Sequence, residues 1–344
     1  MSSGSSEPTK EAAVILRMAF AFVTSQVVYQ AAELSLADHL SSGGLSAREL
    51  ADKIGVDLEA LERVLEALVA FGVLKHEGEA KFGLTAIGEL LRSDVPGSLR
   101  ATVRFLAGPW AWRAFEQLGH SIGTGNPSFD HVWGMSNFEY WERHPDVLKI
   151  HDDAMTGLTA TETARILTAY DFSPYRKIVD VGGGNGALLA AILDQHRQTD
   201  GILADLPHVV SLATEVLQRA GVADRCKLIG SDFFERVPSG GNLYILKHVI
   251  HNWDDARARA ILRNCHRVMG ESARLLIIDR VLSARPGLDD AMGYLVDMTM
   301  LALTPGGRER NKEQFQRLLE SSGFELTHVI ETGGISDVTE ARPH

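Results

Sequence analysis

The chain has 344 residues, which is long enough for about two domains of ordinary size. Hydrophobic residues make up 45% and charged residues 23%, a globular composition that excludes a disordered or collagen-like chain. The formal net charge of −11 argues against nucleic acid and anionic lipid as partners. The two cysteines, Cys226 and Cys265, are too few for a disulfide framework or a cysteine-based zinc site, so we expect a cytoplasmic protein without a structural metal.

The N-terminal segment raises the question of a membrane span. Residues 1–10 are polar and Ser-rich, which predicts a disordered terminus and no secretory signal. Residues 12–32 are apolar and long, but polar side chains interrupt them: Arg17, Thr24, Ser25, Gln26 and Gln30. A charge near the centre of a spanning helix is costly. The pattern therefore favours a helix that a second subunit covers, and a homodimer without a membrane partner.

Residues 11–105 follow the element order of a winged helix. Ser46 and Glu49 form the signature of a capping box at the start of one helix, and Asp57 begins the next. A hairpin follows, with its predicted turn at residues 77–79. A winged helix that binds DNA would carry basic residues on its second helix. That helix instead carries three acids against one base, Glu59, Glu62, Glu66 and Arg63, so the alternative of a DNA-binding regulator is disfavoured.

Residues 106–344 form the second predicted domain, which begins with a helical connector, residues 106–170. The connector is rich in aromatic side chains and is broken by a loop at residues 123–127. Packing within the core explains most of these rings. Some of them, Trp110 included, could line a pocket for a flat apolar substrate.

From Lys177 onward, short apolar strands alternate with helices, which predicts an α/β fold with a parallel sheet covered on both faces. The predicted strands are residues 177–181, 201–205, 226–229, 243–250 and 275–279. The predicted helices are residues 187–195, 209–219 and 256–268. Ligands in such folds bind at the carboxyl ends of the strands.

A glycine-rich loop follows the first of these strands. It contains Asp180, Gly182, Gly184 and Gly186 in the order Asp-x-Gly-x-Gly-x-Gly. This spacing differs from the Gly-x-Gly-x-x-Gly of dinucleotide sites, so a nicotinamide cofactor is the weaker alternative. The loop and its acidic residue resemble the S-adenosylmethionine loop of class I methyltransferases.

Acidic residues also follow the next two strands. Asp205, with Leu206 beside it, lies 19 residues after Gly186, where an acid can accept hydrogen bonds from both ribose hydroxyls. Asp232 and Phe233 follow the third strand, and a carboxylate beside an aromatic ring suits an adenine.

The fourth strand leads into a histidine-rich motif. Alternation along a strand up to residue 250 places Lys247 and His251 on one face and His248 on the other. A neutral His251 could take a proton from an acceptor hydroxyl, whereas His248 is predicted to be structural.

Two longer motifs identify the chain as similar to a family. The segment His251-Asn-Trp-Asp-Asp255 and the segment Pro305-Gly-Gly-Arg-Glu309-Arg310 resemble motifs of small-molecule O-methyltransferases of the caffeic-acid and hydroxyneurine type. That family includes bacterial members that act on aromatic polyketides and phenazines. It carries an N-terminal winged-helix dimerisation domain, so the resemblance covers nearly the whole chain.

The resemblance implies a role for specific residues. His251 would be the general base, flanked by the acids Glu309 and Asp279; Asp279 stands where many members have the longer Glu. The implied cofactor residues are Gly182, Asp205, Asp232, Phe233 and Lys247. Three further residues match positions of the acceptor pocket: Met155, Met300 and Thr304.

The expected function is methyl transfer from S-adenosylmethionine to a phenolic hydroxyl of an aromatic secondary metabolite. Two enzymatic alternatives stay open at this point. The chain could be an N- or C-methyltransferase, or a family member that has changed to another reaction, such as decarboxylation or hydroxylation.

Overall fold

A computed structural model describes residues 9–78 and 80–344. Most of the predicted disordered terminus, residues 1–8, lies outside the described residues, as does Glu79 of the predicted turn. Thr9 caps the first helix, and Lys10 begins it.

The chain divides into two compact units. Unit 1 consists of the residues up to Trp112 together with Asp146–Gly157, and unit 2 of Arg113–Pro145 and Leu158–His344. The division after Trp112 lies seven residues beyond the predicted boundary at residue 105, and part of the predicted connector belongs to unit 1. Two helices, α7 (Pro109–Glu116) and α11 (Pro145–Ala169), run across the division.

Unit 1 contains six further helices and a three-stranded sheet in the order β1-β3-β2. The helices are α1 (Lys10–Glu33), α2 (Leu36–Leu40), α3 (Ala47–Ile54), α4 (Leu58–Ala70), α5 (Ala86–Glu89) and α6 (Arg100–Ala107). The strands are β1 (Leu45–Ser46), β2 (Leu74–Glu77) and β3 (Lys81–Leu84).

The winged-helix elements in unit 1 form as their end signals predict. Ser46 and Glu49 make the capping box of α3, and Gly55 ends this helix in the left-handed conformation, with φ 77°. Asp57 caps α4 by accepting a hydrogen bond from the backbone N–H of Ala60. The hairpin of β2 and β3 is antiparallel, as predicted. The acidic side chains of α4 face solvent.

Helix α1 carries an uncovered apolar surface. Seven of its large hydrophobic side chains are exposed, with Phe20 at 60%: Val14, Ile15, Leu16, Met18, Phe20, Phe22 and Val23. By length and composition alone, α1 is also apolar enough to cross a membrane. Its C-terminal part is different, because Tyr29, Ala31 and Ala32 are buried within unit 1.

Unit 2 is built around a seven-stranded sheet. Its strands are β4 (Lys177–Val181), β5 (Asp200–Asp205), β6 (Cys226–Gly230), β7 (Leu243–Lys247), β8 (Arg274–Asp279), β11 (Phe324–Ile330) and β12 (Asp337–Pro343). A separate pair consists of β9 (Val281–Leu282) and β10 (Arg310–Asn311). The helices are α8 (Leu118–Thr124), α9 (Ser128–Trp133), α10 (Asn137–Arg143), α12 (Ala187–Gln195), α13 (Pro207–Val210), α14 (Ala213–Arg219), α15 (Asp255–Val268), α16 (Ala291–Leu303) and α17 (Lys312–Glu320).

The sheet has the order β11-β12-β8-β7-β4-β5-β6. Strands β4 to β8 are parallel, as predicted, but β12 pairs antiparallel with β8, and β11 antiparallel with β12. The sheet is therefore mixed, and the two C-terminal strands were not predicted. The strand order reverses between β4 and β7, so the loops after these two strands lie at the topological switch point, where ligands bind.

Buried side chains on the two faces of the sheet form two separate cores. On one face, Ile178 and Leu203 pack with Leu189 of α12 and Leu217 of α14. On the other face, Tyr244 and Leu275 belong to the cluster that contains side chains of α15 and α17. Helices on both faces are what the alternation of strands and helices predicted.

Two local predictions were wrong. Strand β7 ends at Lys247, because His248 takes the left-handed conformation, with φ 54°, and Ile250–Asn252 form a 3-10 turn. The alternation of faces therefore does not extend to His248 and His251, whose rings instead stack with centroids 5.3 Å apart. The helix predicted over residues 209–219 is two short helices, α13 and α14.

Candidate active site

The loop after β4 needs glycine at several positions. Gly182, Gly184 and Gly186 have φ values of 70°, 58° and 75°, in the left-handed region that side chains rarely adopt. A Cβ on Gly182 would lie 2.8 Å from Cγ2 of Val249, which is closer than carbon atoms pack. The loop therefore passes directly beside the residues that follow β7.

Asp180 lies beneath this loop and is 1% exposed. Burial, together with the charge of Asp205, raises the pKa of Asp180 to about 7, and Lys247 opposes this shift. Its Oδ1 atom is buried without a hydrogen-bond partner among the described residues. A carboxyl in this setting responds strongly to any charge that binds nearby.

Asp205 ends β5 and is joined to the glycine loop. Its Oδ2 atom accepts a hydrogen bond from the backbone N–H of Gly184 at 2.8 Å, and Oδ1 accepts one from that of Leu206 at 2.7 Å. The loop and the carboxylate are thus held together, as the spacing between the two motifs suggested. Leu206 itself is 38% exposed and precedes α13.

Two side chains, those of Asp232 and Asn264, form hydrogen bonds with the backbone of the segment after β6. Asp232 accepts a hydrogen bond from the backbone N–H of Phe234 at 2.8 Å. The amide of Asn264, on α15, donates to the carbonyl oxygens of Phe233 and Phe234, both at 2.8 Å. Asn264 was not predicted, although a polar residue on the apolar face of α15 was the signal that could have found it.

Lys247 lies in a buried polar cluster at the end of β7. Its Nζ atom is 3.0 Å from Oε2 of Glu162, and it donates to Oγ1 of Thr159 at 3.2 Å. Ser336 donates to Oε1 of the same Glu162 and lies 2.7 Å from Nε2 of His248. Sequence reasoning missed Glu162, which shares one face of α11 with the buried Ile166. His248 therefore belongs to this cluster, and its structural role stays a prediction.

His251 and Glu309 form a close ion pair. Nδ1 of the imidazole lies 2.7 Å from Oε1 of Glu309, and the two side chains are 12% and 1% exposed. Because a carboxylate only accepts hydrogen bonds, Nδ1 carries the proton, and Nε2 is the nitrogen that can accept another. Asp279 does not bond the ring; its Oδ2 atom accepts from the backbone N–H of His251 at 3.1 Å.

The electrostatics around His251 favour the charged imidazole. Burial alone lowers the pKa of His251, but the negative charges of Glu309 and Asp279 outweigh it and raise the pKa to about 9. Burial also raises the pKa of Asp279 above its usual range. Burial, together with the positive charges of Lys247 and His251, holds the pKa of the neighbouring His248 well below 6.5.

Two further residues, to which sequence reasoning assigned no role, fix the backbone around Glu309 and His251. Asp297, on α16, accepts a hydrogen bond from the backbone N–H of Glu309 at 2.8 Å. The guanidinium of Arg310 is 1% exposed and donates to Asp255 and to the carbonyl oxygens of Ile250 and Trp253, on either side of His251. The backbone on either side of His251 and at Glu309 is thus held by hydrogen bonds.

The four predicted pocket residues are divided between the units. Trp110 and Met155 belong to unit 1, where the indole of Trp110 donates to the carbonyl of Phe105 at 2.9 Å. Met300 and Thr304 belong to unit 2, and the Thr304 hydroxyl donates to the carbonyl of Met300 at 2.7 Å. A Cβ on Gly307 would collide with Oγ1 of Thr304 and the carbonyl of His251, so Thr304 borders the His251 turn.

The sequence matches two family models. Residues 16–94 match the O-methyltransferase dimerisation domain, and residues 115–325 match the O-methyltransferase domain. Phenazine O-methyltransferase PhzM of Lysobacter antibioticus is 38% identical over 330 residues, which are 96% of each chain. Phenazine-1-carboxylate N-methyltransferase of Pseudomonas aeruginosa is 32% identical over 309 residues, 89% of this chain and 90% of that one.

A solved structure resembles the whole fold. It is an O-methyltransferase from neocarzinostatin biosynthesis in complex with S-adenosylmethionine and 2-hydroxy-5-methyl naphthoic acid. Its TM-score is 0.78 at 30% identity, and the match covers 93% of this chain and 96% of that chain. The chain therefore belongs to the family of S-adenosylmethionine-dependent O-methyltransferases that act on aromatic secondary metabolites.

Proposed function

We propose that His251 is the general base for methyl transfer to a phenolic hydroxyl of a polyketide, phenazine or similar aromatic metabolite. The observation that carries this proposal is the 2.7 Å contact between Nδ1 of His251 and Oε1 of Glu309. It fixes the tautomer and leaves Nε2 to accept the proton, while the charge of Glu309 stabilises the imidazolium that forms. Asp279 acts on the backbone of His251 and completes the catalytic group.

The raised pKa of His251 lies close to the pKa of a phenolic acceptor. A phenol has a pKa near 10 and an ordinary histidine one near 6.5, so proton transfer to an ordinary histidine costs about 5 kcal/mol. With the pKa of His251 at about 9, the difference between the pKa values of the phenol and the histidine falls to about one unit, or roughly 1.4 kcal/mol. The neutral imidazole is then a strong base, but at neutral pH it is the minor form.

The residues at the ends of β4, β5 and β6 fit S-adenosylmethionine. The glycine loop leaves no room for a side chain at Gly182, and the buried Asp180 has an unused acceptor. When bound, this cofactor supplies a methyl carbon that its sulfonium makes electrophilic. We assign the ribose hydroxyls to Asp205 and the adenine to Asp232 and Phe233. The remaining proposed cofactor residues are Asp180, Gly182, Gly184, Leu206 and Lys247.

We propose that Met300 and Thr304 of unit 2 contact the aromatic acceptor, and we keep Trp110 and Met155 of unit 1 as separate candidate acceptor residues. This assignment is supported by the aromatic acid in the neocarzinostatin structure and by the apolar character of three of the four side chains. Methionine adapts to flat rings of different outline, because its unbranched chain is flexible and polarisable.

Transfer to nitrogen is the second candidate function, because two of the relatives are N-methyltransferases. The two can be separated with pairs of hydroxylated and aminated polycyclic aromatics on the same ring, using labelled S-adenosylmethionine. We expect methylation of the hydroxyl member, and its loss in His251→Gln. Labelling of only the amine member, insensitive to His251→Gln, would contradict the phenolic assignment. Decarboxylation or hydroxylation without label transfer would identify a changed reaction.

We infer that α1 forms a homodimer interface. The exposed apolar surface of α1 overlaps the matched dimerisation domain, and exposed patches of more than a few hundred Å² usually mark interfaces. Light scattering on the full chain should therefore give twice 37.6 kDa at micromolar concentration, and Phe20→Glu should shift it toward the monomer. An active monomer in the wild type would refute this.

We propose that the protein is cytoplasmic, because its two cysteines, Cys226 and Cys265, are not joined in a disulfide. Fractionation of the producing cells tests the assignment, and enrichment in the membrane fraction would contradict it.

A further inference from the structure

A cavity of about 250 Å³ lies behind the His251 turn, between α15 and α17 of unit 2. Four arginines line it, against a single carboxylate: Arg259, Arg308, Arg310, Arg317 and Asp255. The cavity thus holds an excess of three positive charges, although the whole chain carries a net charge of −11. Arg310 is buried and Arg259 is half-buried, whereas Arg308 and Arg317 reach solvent, so an anion can approach these positive charges from outside.

Only one of these arginines is used by the fold. Arg310 is buried, and its donors are taken by Asp255 and by backbone carbonyls. Arg259, Arg308 and Arg317 form no ion pair with any other residue that the structure describes. Three guanidinium groups therefore keep their donors available around one small space.

The positive charges around the cavity affect the pKa of Asp255. Burial favours its neutral form, yet the hydrogen bond from Arg310 and the charges of Arg308 and Arg259 hold the pKa of Asp255 below its usual range. The half-exposed carboxylate of Asp255 already pairs with Arg310 at 2.8 Å. It therefore offsets the charge of Arg310 and leaves the charges of the other three arginines without a counterion among the described residues.

We propose that this cavity binds a phosphate group, either as inorganic phosphate or as part of a phosphorylated metabolite. The planar fork of a guanidinium matches two phosphate oxygens, and several arginines together bind this group best. The volume is below the 300–1,000 Å³ of pockets for drug-sized ligands, which suits a compact anion.

The position of the site links it to the His251 turn. Arg310 donates to the carbonyls of Ile250 and Trp253, and the backbone N–H of Arg308 donates to the carbonyl of His251 at 2.8 Å. An anion held by Arg308 and its neighbours would therefore stabilise this turn against unfolding, and phosphate should raise the melting temperature.

The test is calorimetric titration of the full chain, saturated with S-adenosylhomocysteine, with inorganic phosphate at constant ionic strength. Loss of one charged hydrogen bond costs about 1.5–3 kcal/mol, so Arg259→Gln and Arg317→Gln should each weaken binding about tenfold or more. Arg317→Lys, which keeps the charge but loses the fork, should fall between Arg317→Gln and the wild type. Arg267→Gln is the matched control, because it removes the same charge from α15 at an exposed position outside the cavity.

Saturable binding that Arg259→Gln and Arg317→Gln weaken and Arg267→Gln leaves intact supports the site. Glycerol phosphate is the second probe: tighter binding than inorganic phosphate assigns the site to a phosphorylated metabolite, and weaker binding assigns it to the free anion. Absence of saturable binding by either probe, or an equal loss in all three glutamine variants, overturns the proposal. These titrations require no methyl transfer, so they stand apart from the proposed reaction.

Discussion

Asp279 contacts the backbone of His251, whereas Glu309 contacts its ring. The Oδ2 atom of Asp279 lies 3.1 Å from the backbone nitrogen, and Oε1 of Glu309 lies 2.7 Å from Nδ1. One acid therefore fixes where the turn after β7 stands, and the other fixes which ring nitrogen is free. The family resemblance implied two acids beside the base without distinguishing them, and the geometry gives each a separate task.

His251→Ala should lower kcat for a phenolic acceptor by about 10²–10⁴, the usual effect of losing a general base. Cofactor affinity should hardly change, because the imidazole is not among the proposed cofactor residues. Steady-state kinetics and calorimetry with S-adenosylhomocysteine measure the two effects. The deficit should shrink as pH approaches the pKa of the phenol, since no proton then needs removal. Near-normal turnover at neutral pH would show that positioning alone drives the transfer.

Glu309→Gln should shift the pH dependence of kcat/KM to lower pH. Neutral imidazole is the form that accepts a proton, so kcat/KM of the wild type should rise with pH through an apparent pKa of about 9. Glutamine can still accept a hydrogen bond but lacks the charge that raises this pKa, so the rise should shift to lower pH. An acceptor that stays neutral up to pH 9 is needed. An unchanged inflection would mean that another group titrates.

Asp205→Ala should weaken binding of S-adenosylhomocysteine by about 1.5–3 kcal/mol, the usual cost of losing hydrogen bonds to a charged group. It also releases the backbone N–H of Gly184, so the loop loses its fixed position. Asp200→Ala is the control, because this exposed acid begins the same strand, β5, at the opposite end. Equal affinities in the two variants would remove Asp205 from the cofactor site.

Asn264→Leu should weaken binding of S-adenosylhomocysteine only because the segment after β6, which contains Phe233 and Phe234, loses its support. The substitution leaves the carbonyls of Phe233 and Phe234 without a buried partner, at a cost of about 1–3 kcal/mol for each. The Michaelis constant for the cofactor should rise while kcat at saturation stays near the wild-type value. Arg263→Leu, at the neighbouring exposed position, controls for changes in the helix. A lower kcat with an unchanged Michaelis constant would contradict this role.

Local signals made part of the structure predictable. The capping box of Ser46 and Glu49, the Asp57 cap and the glycines after β4 act over a few residues, so their effect can be inferred from sequence alone. The end of β7 could not be inferred, because the apolar run continues to residue 250 while His248 leaves the strand conformation.

Contacts between distant residues were not predictable from spacing. Glu162 meets Ser336 across 174 residues, and Asn264 holds a loop 30 residues away. The antiparallel strands β11 and β12 extend the sheet from β8, and this pairing joins segments that are far apart in the sequence. Composition indicated none of these contacts, because each joins residues that are distant in the sequence.

Trp253 stands edge-on to both rings of the segment after β6, with centroids 6.3 Å from Phe233 and 4.8 Å from Phe234. The indole belongs to the same motif as His251, and Phe138 stacks on it at 5.4 Å. Because indole emission depends on the polarity of its surroundings, we expect a movement of Phe233 and Phe234 to change the fluorescence of Trp253. Replacing the other four tryptophans would leave Trp253 as a label-free reporter of whether S-adenosylhomocysteine binds beside Phe233, as proposed.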